Sequence, residues 1–424
     1  MTEILLKNAL NSKAERIDIR IQNGLITEIG NISGNGIDCT DLIVMPGFVD
    51  IHTHLREPGF EASETVLTGS QSGAAGGYTA LCSMANTSPV SDSKELVEEV
   101  YDLGLAANYL DVQPIGAITK GLQGKELSQI AAMASSRANV RMFSDDGVCV
   151  TDDALMEAAM IEVAKVGGVL AQHPQDHAMT PGAQMNEGAL ATELGLTGWP
   201  AAAEERIIER DAMLAKKLGV RVHVCHLTTA GSVEVVRWAK KQGIQITAEV
   251  TPHHLMLTEE LVRSYDPVYK VNPPLRRKED TLALQEALID GTIDALATDH
   301  APHSSEKKEC EWDAAAFGMV GLENAASVLQ QVLIESGRSD WARFQDSISS
   351  APAKIASLEN HGNLEVGAVA NLTLLDPSHR RTIESKTHSK STNNPFAGSV
   401  LPGRVVHTIY RGRFTLRDGK LVTK

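Results

Sequence analysis

Aromatic side chains are scarce in this 424-residue chain, at 4% of residues, and no apolar run approaches the roughly 18–20 residues of a membrane-spanning helix. A helical membrane span is therefore excluded. Cysteine supplies no framework either. Cys39, Cys82, Cys149, Cys225 and Cys310 are odd in number, scattered and never in C-x-x-C spacing, which argues against disulfides and for a reducing compartment. The opening residues show no basic region followed by an apolar run, so the expectation is a cytoplasmic protein without a signal peptide. The net charge of −15 lacks the clustered Lys and Arg that phosphate neutralisation demands, which excludes nucleic acid as a partner. A small anionic substrate stays open, because it responds to the local field of a cleft.

What the chain does have is abundant aliphatic residue, Ala and Gly, the composition of a large α/β enzyme. Residues 1–45 read as short strands and turns: Ile17 to Ile21 alternates, Asn23-Gly24 is a hairpin signal, and Leu25 to Ile29 alternates again. Apolar runs of strand length then alternate with helical stretches. Strands are predicted at Val44–His52, Tyr78–Met84, Tyr109–Ile115, Val140–Ser144, Gly168–His173, Val220–His226, Ile244–Val250 and Ile293–Thr298. Helices are predicted between them, for example over Ser93–Leu103, Asp152–Val166, Ala203–Leu218 and Ser232–Gln242. Eight such units imply a (β/α)8 TIM-type barrel over residues 46–360. Residues 361–424 return to strand-and-turn texture, with Ala370–Leu375 and Val405–Tyr410 as strands. The two β-rich ends are expected to pack together as one small β-sandwich-like domain.

Chemistry in such a barrel sits at the C-terminal ends of the strands. Strand one ends in His52 and His54, strand four in Asp145-Asp146-Gly147, strand five in His173, strand six in His226 and strand eight in Asp299-His300. Side chains two apart on a strand share a face, so His52 and His54 can bind one ion from the barrel interior. Four imidazoles and at least two carboxylates suffice for two divalent metals, with one Asp of the pair as bridge. Two such ions can share a hydroxide and polarise a carbonyl. Asp299, on the strand that closes the ring beside strand one, fits the proton shuttle to a leaving amide nitrogen. The chemistry is hydrolysis of an amide or cyclic imide, or its reversal.

The remaining candidates read as structural. His223, three before His226, is expected to face the helices; His253-His254 border the pocket without ligating; His177 is a loop residue; His361, His379, His388 and His407 lie in the tail. Cys149 and Cys225 read as small packing residues.

Several ordered motifs carry a closer resemblance. Pro46-Gly47-Phe48-Val49-Asp50 leads into His52-Thr53-His54-Leu55-Arg56-Glu57-Pro58-Gly59, followed by Met84-Ala85-Asn86-Thr87 and Ser144-Asp145-Asp146-Gly147. Then come Thr251-Pro252-His253-His254-Leu255, Val271-Asn272-Pro273-Pro274-Leu275-Arg276, Ala297-Thr298-Asp299-His300-Ala301-Pro302-His303 and Phe317-Gly318-Met319-Val320-Gly321-Leu322-Glu323. Through most of its length the chain resembles the dihydroorotases of the class I type in the amidohydrolase superfamily. The resemblance implies two zinc ions, one on His52, His54 and Asp299, the other on His173 and His226, bridged by Asp146. It implies reversible closure of N-carbamoyl-L-aspartate to L-dihydroorotate in pyrimidine biosynthesis. Arg56 is expected to grip the substrate carboxylate, on the face of His54 if the strand continues. By the same likeness His54, Asn86, Asn272 and His303 contact substrate, with the backbone around Phe317 and Gly318 on the ring amides. The partners expected are that substrate and a second copy of the chain; association with an aspartate transcarbamoylase is the further one the resemblance admits.

Three departures stand out: Ala316 where Pro is common, Pro174-Gln175-Asp176 after His173 where Cys-Glu-Asp is usual, and no Lys in Ala138–Val150. The last separates the chain from hydantoinases and allantoinases, which bridge their metals with a carboxylated Lys there. Such a cyclic amidase is one rival reading; a catalytically inactive scaffold for a transcarbamoylase is the other. Whether His303–Ala316, rich in Ser, Glu and Lys, forms a wall or a lid stays open at this level.

Overall fold

The turn at Asn23 and Gly24 puts both residues in left-handed backbone, at φ 52° and 84°, so strands Arg16–Gln22 and Leu25–Gly30 pair as a tight antiparallel hairpin. This computed structural model describes residues 3–423. Among the described residues a nine-stranded sheet gathers both chain ends, in the order 420–421, 413–417, 400–410, 372–382, 43–46, 3–10, 16–22, 25–30, with Ile37–Asp38 beside the strand at 3–10. Leu6, Ile19, Ile21, Ile26, Val44, Leu372, Leu374 and Ile409 share its apolar core.

The rest of the fold is a barrel of parallel strands: β1 (Phe48–Thr53), β2 (Tyr78–Ser83), β3 (Asp111–Pro114), β4 (Met142–Phe143), β5 (Val169–Gln172), β6 (Val222–Val224), β7 (Ile246–Val250) and β8 (Ala295–Leu296). β1 to β3 and β4 to β8 form two hydrogen-bonded runs, which the bridges Gly116–Phe143 and Thr53–His300 join into a ring. Asp50 reinforces that closure, since its carboxylate accepts from Thr298 N at 3.1 and 3.2 Å and from His52 N at 3.1 Å.

Helices follow the strands because the loops supply caps. Thr65, Asp152 and Thr229 accept from the N3 amides of the helices at Val66–Gly76, Asp153–Lys165 and Ala230–Lys241. The helix at Ala202–Leu218 buries Ala203, Ile207, Ile208, Ala212 and Ala215 at helical spacing, which lays one face on the sheet.

The predicted first strand, Val44–His52, is two strands. Ile43–Pro46 belongs to the end sheet, where Pro46 pairs with Leu372 and Met45 with Thr373; β1 begins only at Phe48. Gly47 makes the corner, because a Cβ there would lie 2.3 Å from the Thr79 side chain. One apolar run thus serves both parts of the molecule.

Candidate active site and metal centre

Charged residues seldom lie in a strand buried on both faces unless something pairs them. Glu249, in the β7 run Ile-Thr-Ala-Glu-Val, is buried and takes His52 Nδ1–H at 2.6 Å and His223 Nε2–H at 3.0 Å. Burial pushes its carboxyl up, yet the two imidazoles outweigh this and hold it at about 2. An ionised carboxylate only accepts, so a His52 proton sits on Nδ1 and Nε2 is turned towards Asp146.

The other histidines are oriented in the same manner. Asn86 Oδ1 accepts from His54 Nδ1 at 2.9 Å, which turns His54 Nε2 towards Asp299. Gln175 Oε1 accepts from His173 Nε2 at 3.0 Å, which turns His173 Nδ1 towards the same centre, 2.8 Å from His226 Nε2. Asp146 stands among them: Oδ1 lies 3.3 Å from His52 Nε2, 3.3 Å from His173 Nδ1 and 3.5 Å from His226 Nε2, and Oδ2 is 3.3 Å from His54 Nε2. Asp299 Oδ1 completes the group, 2.9 Å from His54 Nε2 and 3.6 Å from His52 Nε2. Burial opposes ionisation of both acids, but the surrounding imidazoles hold Asp146 and Asp299 below the usual carboxylate range.

These residues fit a divalent cation. His52 Nε2 and Asp146 Oδ1 are buried, face one another, and have no hydrogen-bond partner among the described residues. His52, Asp146 and His226 form one candidate ligand group, and His52, His54 and Asp299 another. Cys225 approaches His52 and Glu249, but burial pushes its thiol up to about 12, so it packs as a neutral side chain.

The structure separates the two adjacent aspartates. Asp145 turns away, its carboxylate accepting from Ile118 N, Thr119 N and the Thr119 hydroxyl, while Asp146 faces the histidines. His223 departs from expectation. It points into the barrel, donating to Glu249 from Nε2 and contacting Thr247 Oγ1 at 2.8 Å from Nδ1. The step from His223 to His226 is not a clean strand alternation, because β6 ends at Val224 and His226 has φ 31°. Strand alternation also fails at β1. Val49 and Ile51 line the interior, and a register irregularity between Asp50 and Thr53 turns His52 inward as well.

Arg56 reaches the mouth by a left-handed backbone at φ 63°, not by continuing the strand. Its guanidinium donates to Pro302 O at 3.2 Å and approaches His303 Nε2 at 3.4 Å. His303 gives its Nε2 proton to Phe317 O at 2.7 Å; burial and Arg56 push its imidazole down to about 3. Gly318 has φ 146°, and a Cβ would meet Ala301 O at 2.7 Å and His303 Nε2 at 2.8 Å. Both its backbone groups are already used: N donates to Lys270 O at 3.0 Å, and O accepts from Asn393 Nδ2 at 3.1 Å. The Gly318 amide is therefore spent within the protein, while its carbonyl oxygen keeps a second lone pair. Asn272 donates to Gln175 Oε1 at 3.4 Å, and its Oδ1 is buried without a partner among the described residues.

Glu249, Gln175 and Asn393 are participants that sequence reasoning missed. Glu249 left a signal as a lone charge in an apolar barrel strand, and Gln175 as a departure from the usual Cys-Glu-Asp after His173. The segment after His303 packs as a wall. Lys308 is buried and donates to Pro267 O at 2.6 Å and Lys270 O at 2.9 Å, while Lys270 donates to Trp312 O at 2.6 Å and lies 4.7 Å over the Phe317 ring.

Residues 41–232 match the "Dihydro-orotase-like" family. A dihydroorotase of Streptomyces coelicolor is 54% identical over 99% of this chain and 100% of its own length, and one of Mycobacterium tuberculosis is 48% identical over 96% and 97%. The chain belongs to the dihydroorotase family. Solved hydantoinases share the fold: that of Arthrobacter aurescens superposes with a TM-score of 0.88 at 24% identity, covering 100% of this chain and 98% of that one. The D-hydantoinase of a Thermus species gives 0.83 at 25% identity, over 99% and 97%. This is a TIM-barrel architecture with a sheet-rich part built from both chain ends. Membership implies a metal cofactor, in keeping with the His/Asp groups at the barrel mouth. No helix among the described residues is long and apolar enough to cross a membrane.

Proposed function

We propose that this chain is a dihydroorotase, which closes N-carbamoyl-L-aspartate to L-dihydroorotate in pyrimidine biosynthesis and opens the ring in reverse. The observation that carries the reading is one barrel mouth where four imidazoles, Asp146 and Asp299 turn nitrogen and oxygen atoms to a common centre, with Arg56 and His303 close by. On this reading His52, His54 and Asp299 would hold one zinc ion and His173 and His226 another, with Asp146 as the ligand common to both. Ions held there would lower the pKa of water towards neutrality and polarise the substrate carbonyl.

The chain's own residues do the rest. In ring opening Asp299 takes a proton from the attacking water and passes it to the leaving ring nitrogen; in closure it takes the carbamoyl nitrogen's proton and returns it to the departing oxygen. Arg56 supplies two parallel donors for the substrate carboxylate. His303 is a neutral imidazole fixed by Phe317 O, and Asn272 Oδ1 offers an acceptor for a substrate N–H. Asn86 acts on His54, whose ring it orients. The backbone around Phe317 and Gly318 meets the ring amides, through carbonyl oxygens that each keep a second lone pair.

Every proposed ligand comes from one chain, so neither homodimer formation nor docking to an aspartate transcarbamoylase is needed to complete the site. The five free cysteines support the cytoplasmic reading. Neither an inactive scaffold nor a hydantoinase is favoured: the ligand set is complete, and no Lys lies in Ala138–Val150. The test is metal content per purified chain beside the rate of L-dihydroorotate ring opening. Two ions and turnover are expected; turnover of hydantoin with none on dihydroorotate overturns the reading.

A further inference from the structure

The two halves of the metal centre are not supported alike. His52 is backed by the Glu249 carboxylate at 2.6 Å and His54 by the Asn86 amide oxygen at 2.9 Å. Asp299 Oδ1 lies on this side, 2.9 Å from His54 Nε2 and 3.6 Å from His52 Nε2. On the other side His173 is backed by the neutral Gln175 amide at 3.0 Å. His226 Nδ1 is buried with no hydrogen-bond partner among the described residues. An imidazole whose far N–H is given to a carboxylate is the more basic and better-held ligand; partners of this kind alter metal affinity by about 10–100-fold.

We infer that the position at His173 and His226 is the weaker, exchangeable metal site of this chain, and that Gln175 is the positioning residue that sets its strength. Gln175 suits the part because its amide is spent in three directions. Its Oε1 is shared between His173 Nε2–H and the Asn272 amide at 3.4 Å, and its Nε2 donates to Thr180 Oγ1 at 2.8 Å. A neutral oxygen divided between two donors gives His173 less charge than Glu249 gives His52. Gln175→Glu would strengthen the bond to His173 and lose the one donated to Thr180.

The inference rests on the two-metal reading above, and its test separates the two. Zinc-loaded protein is equilibrated with increasing dipicolinate, and zinc per chain is read by mass spectrometry. The same titration after cobalt loading is followed by visible absorption. Wild type is expected to lose its ions in two steps with a plateau near one per chain. Gln175→Glu should tighten the first-lost ion by about 10-fold or more and shrink the plateau; Gln175→Leu should loosen it and leave the second step in place. His173→Asn should abolish the first step alone. Two ions that leave together, or a Gln175→Glu plateau equal to wild type, overturn this inference while the two-metal reading stands. A chain that never holds two ions overturns both.

Discussion

Asp299 sits just past β8 with φ 46°, a left-handed backbone that a non-glycine residue keeps only where its surroundings hold it, and His226 and Arg56 share that feature at φ 31° and 63°. Three such residues at one mouth mark where backbone strain is tied to chemistry. If Asp299 carries the proton, Asp299→Ala should lower kcat by about 10^2–10^4-fold with the fold kept, as followed by steady-state kinetics and circular dichroism. Activity near wild type would remove it as the shuttle. Arg56→Ala should act differently, through ground-state binding of the carboxylate. Loss of a charge-assisted pair costs about 1.5–3 kcal/mol, so KM for dihydroorotate should rise about 10-fold or more. An unchanged KM would place Arg56 outside the pocket.

The element that follows His303 was ambiguous in sequence because Ser, Glu and Lys describe a solvated lid as well as a wall. Its packing is decided by two lysines that donate inward to backbone carbonyls. Lys308 is 6% exposed, and burial together with Lys270 pushes its ammonium down to about 7 from the ordinary 10.5. A lysine with a depressed folded-state pKa binds its proton more weakly folded than unfolded. Between about pH 7 and 10.5 the unfolded chain therefore holds more protons, and stability should rise with pH by up to about 1.4 kcal/mol per unit. Lys308→Met removes that titration. Urea melts across pH 7–10 should show a flatter dependence for the variant, and identical slopes would exclude Lys308 as the source.

At the scale of the whole molecule, the C-terminal segment does more than complete the end sheet. Asn393 donates to Ala301 O at 3.0 Å and Gly318 O at 3.1 Å and accepts from His303 N at 3.3 Å. Ser389 and Lys390 bond Glu64, which also holds His300 at 3.3 Å behind β8. Asn393→Ala should strand two buried carbonyls at about 1–3 kcal/mol each and release His303. Lower stability in denaturant and a raised KM with little change in kcat are expected; an unaltered KM would detach this segment from the substrate side.

The sequence by itself determined the barrel, because apolar runs and helical periods are local patterns, and it carried the six ligand candidates, because strand ends are where such runs stop. It also supplied Arg56, although by a strand alternation that the backbone does not follow. The pattern Val44–His52 hid a strand boundary, since apolarity reports burial and not which sheet does the burying. Only the tertiary structure decided that Asp146 and not Asp145 faces the histidines, and that His223 turns inward. Only it assigned Glu249, Gln175 and Asn393 their work. Most of those contacts join residues far apart in sequence, as His52 and Glu249 are, 197 positions apart, although Gln175 reaches His173 only two positions away. A hydrogen-bond partner is fixed by where the chain returns, and no local period encodes that return.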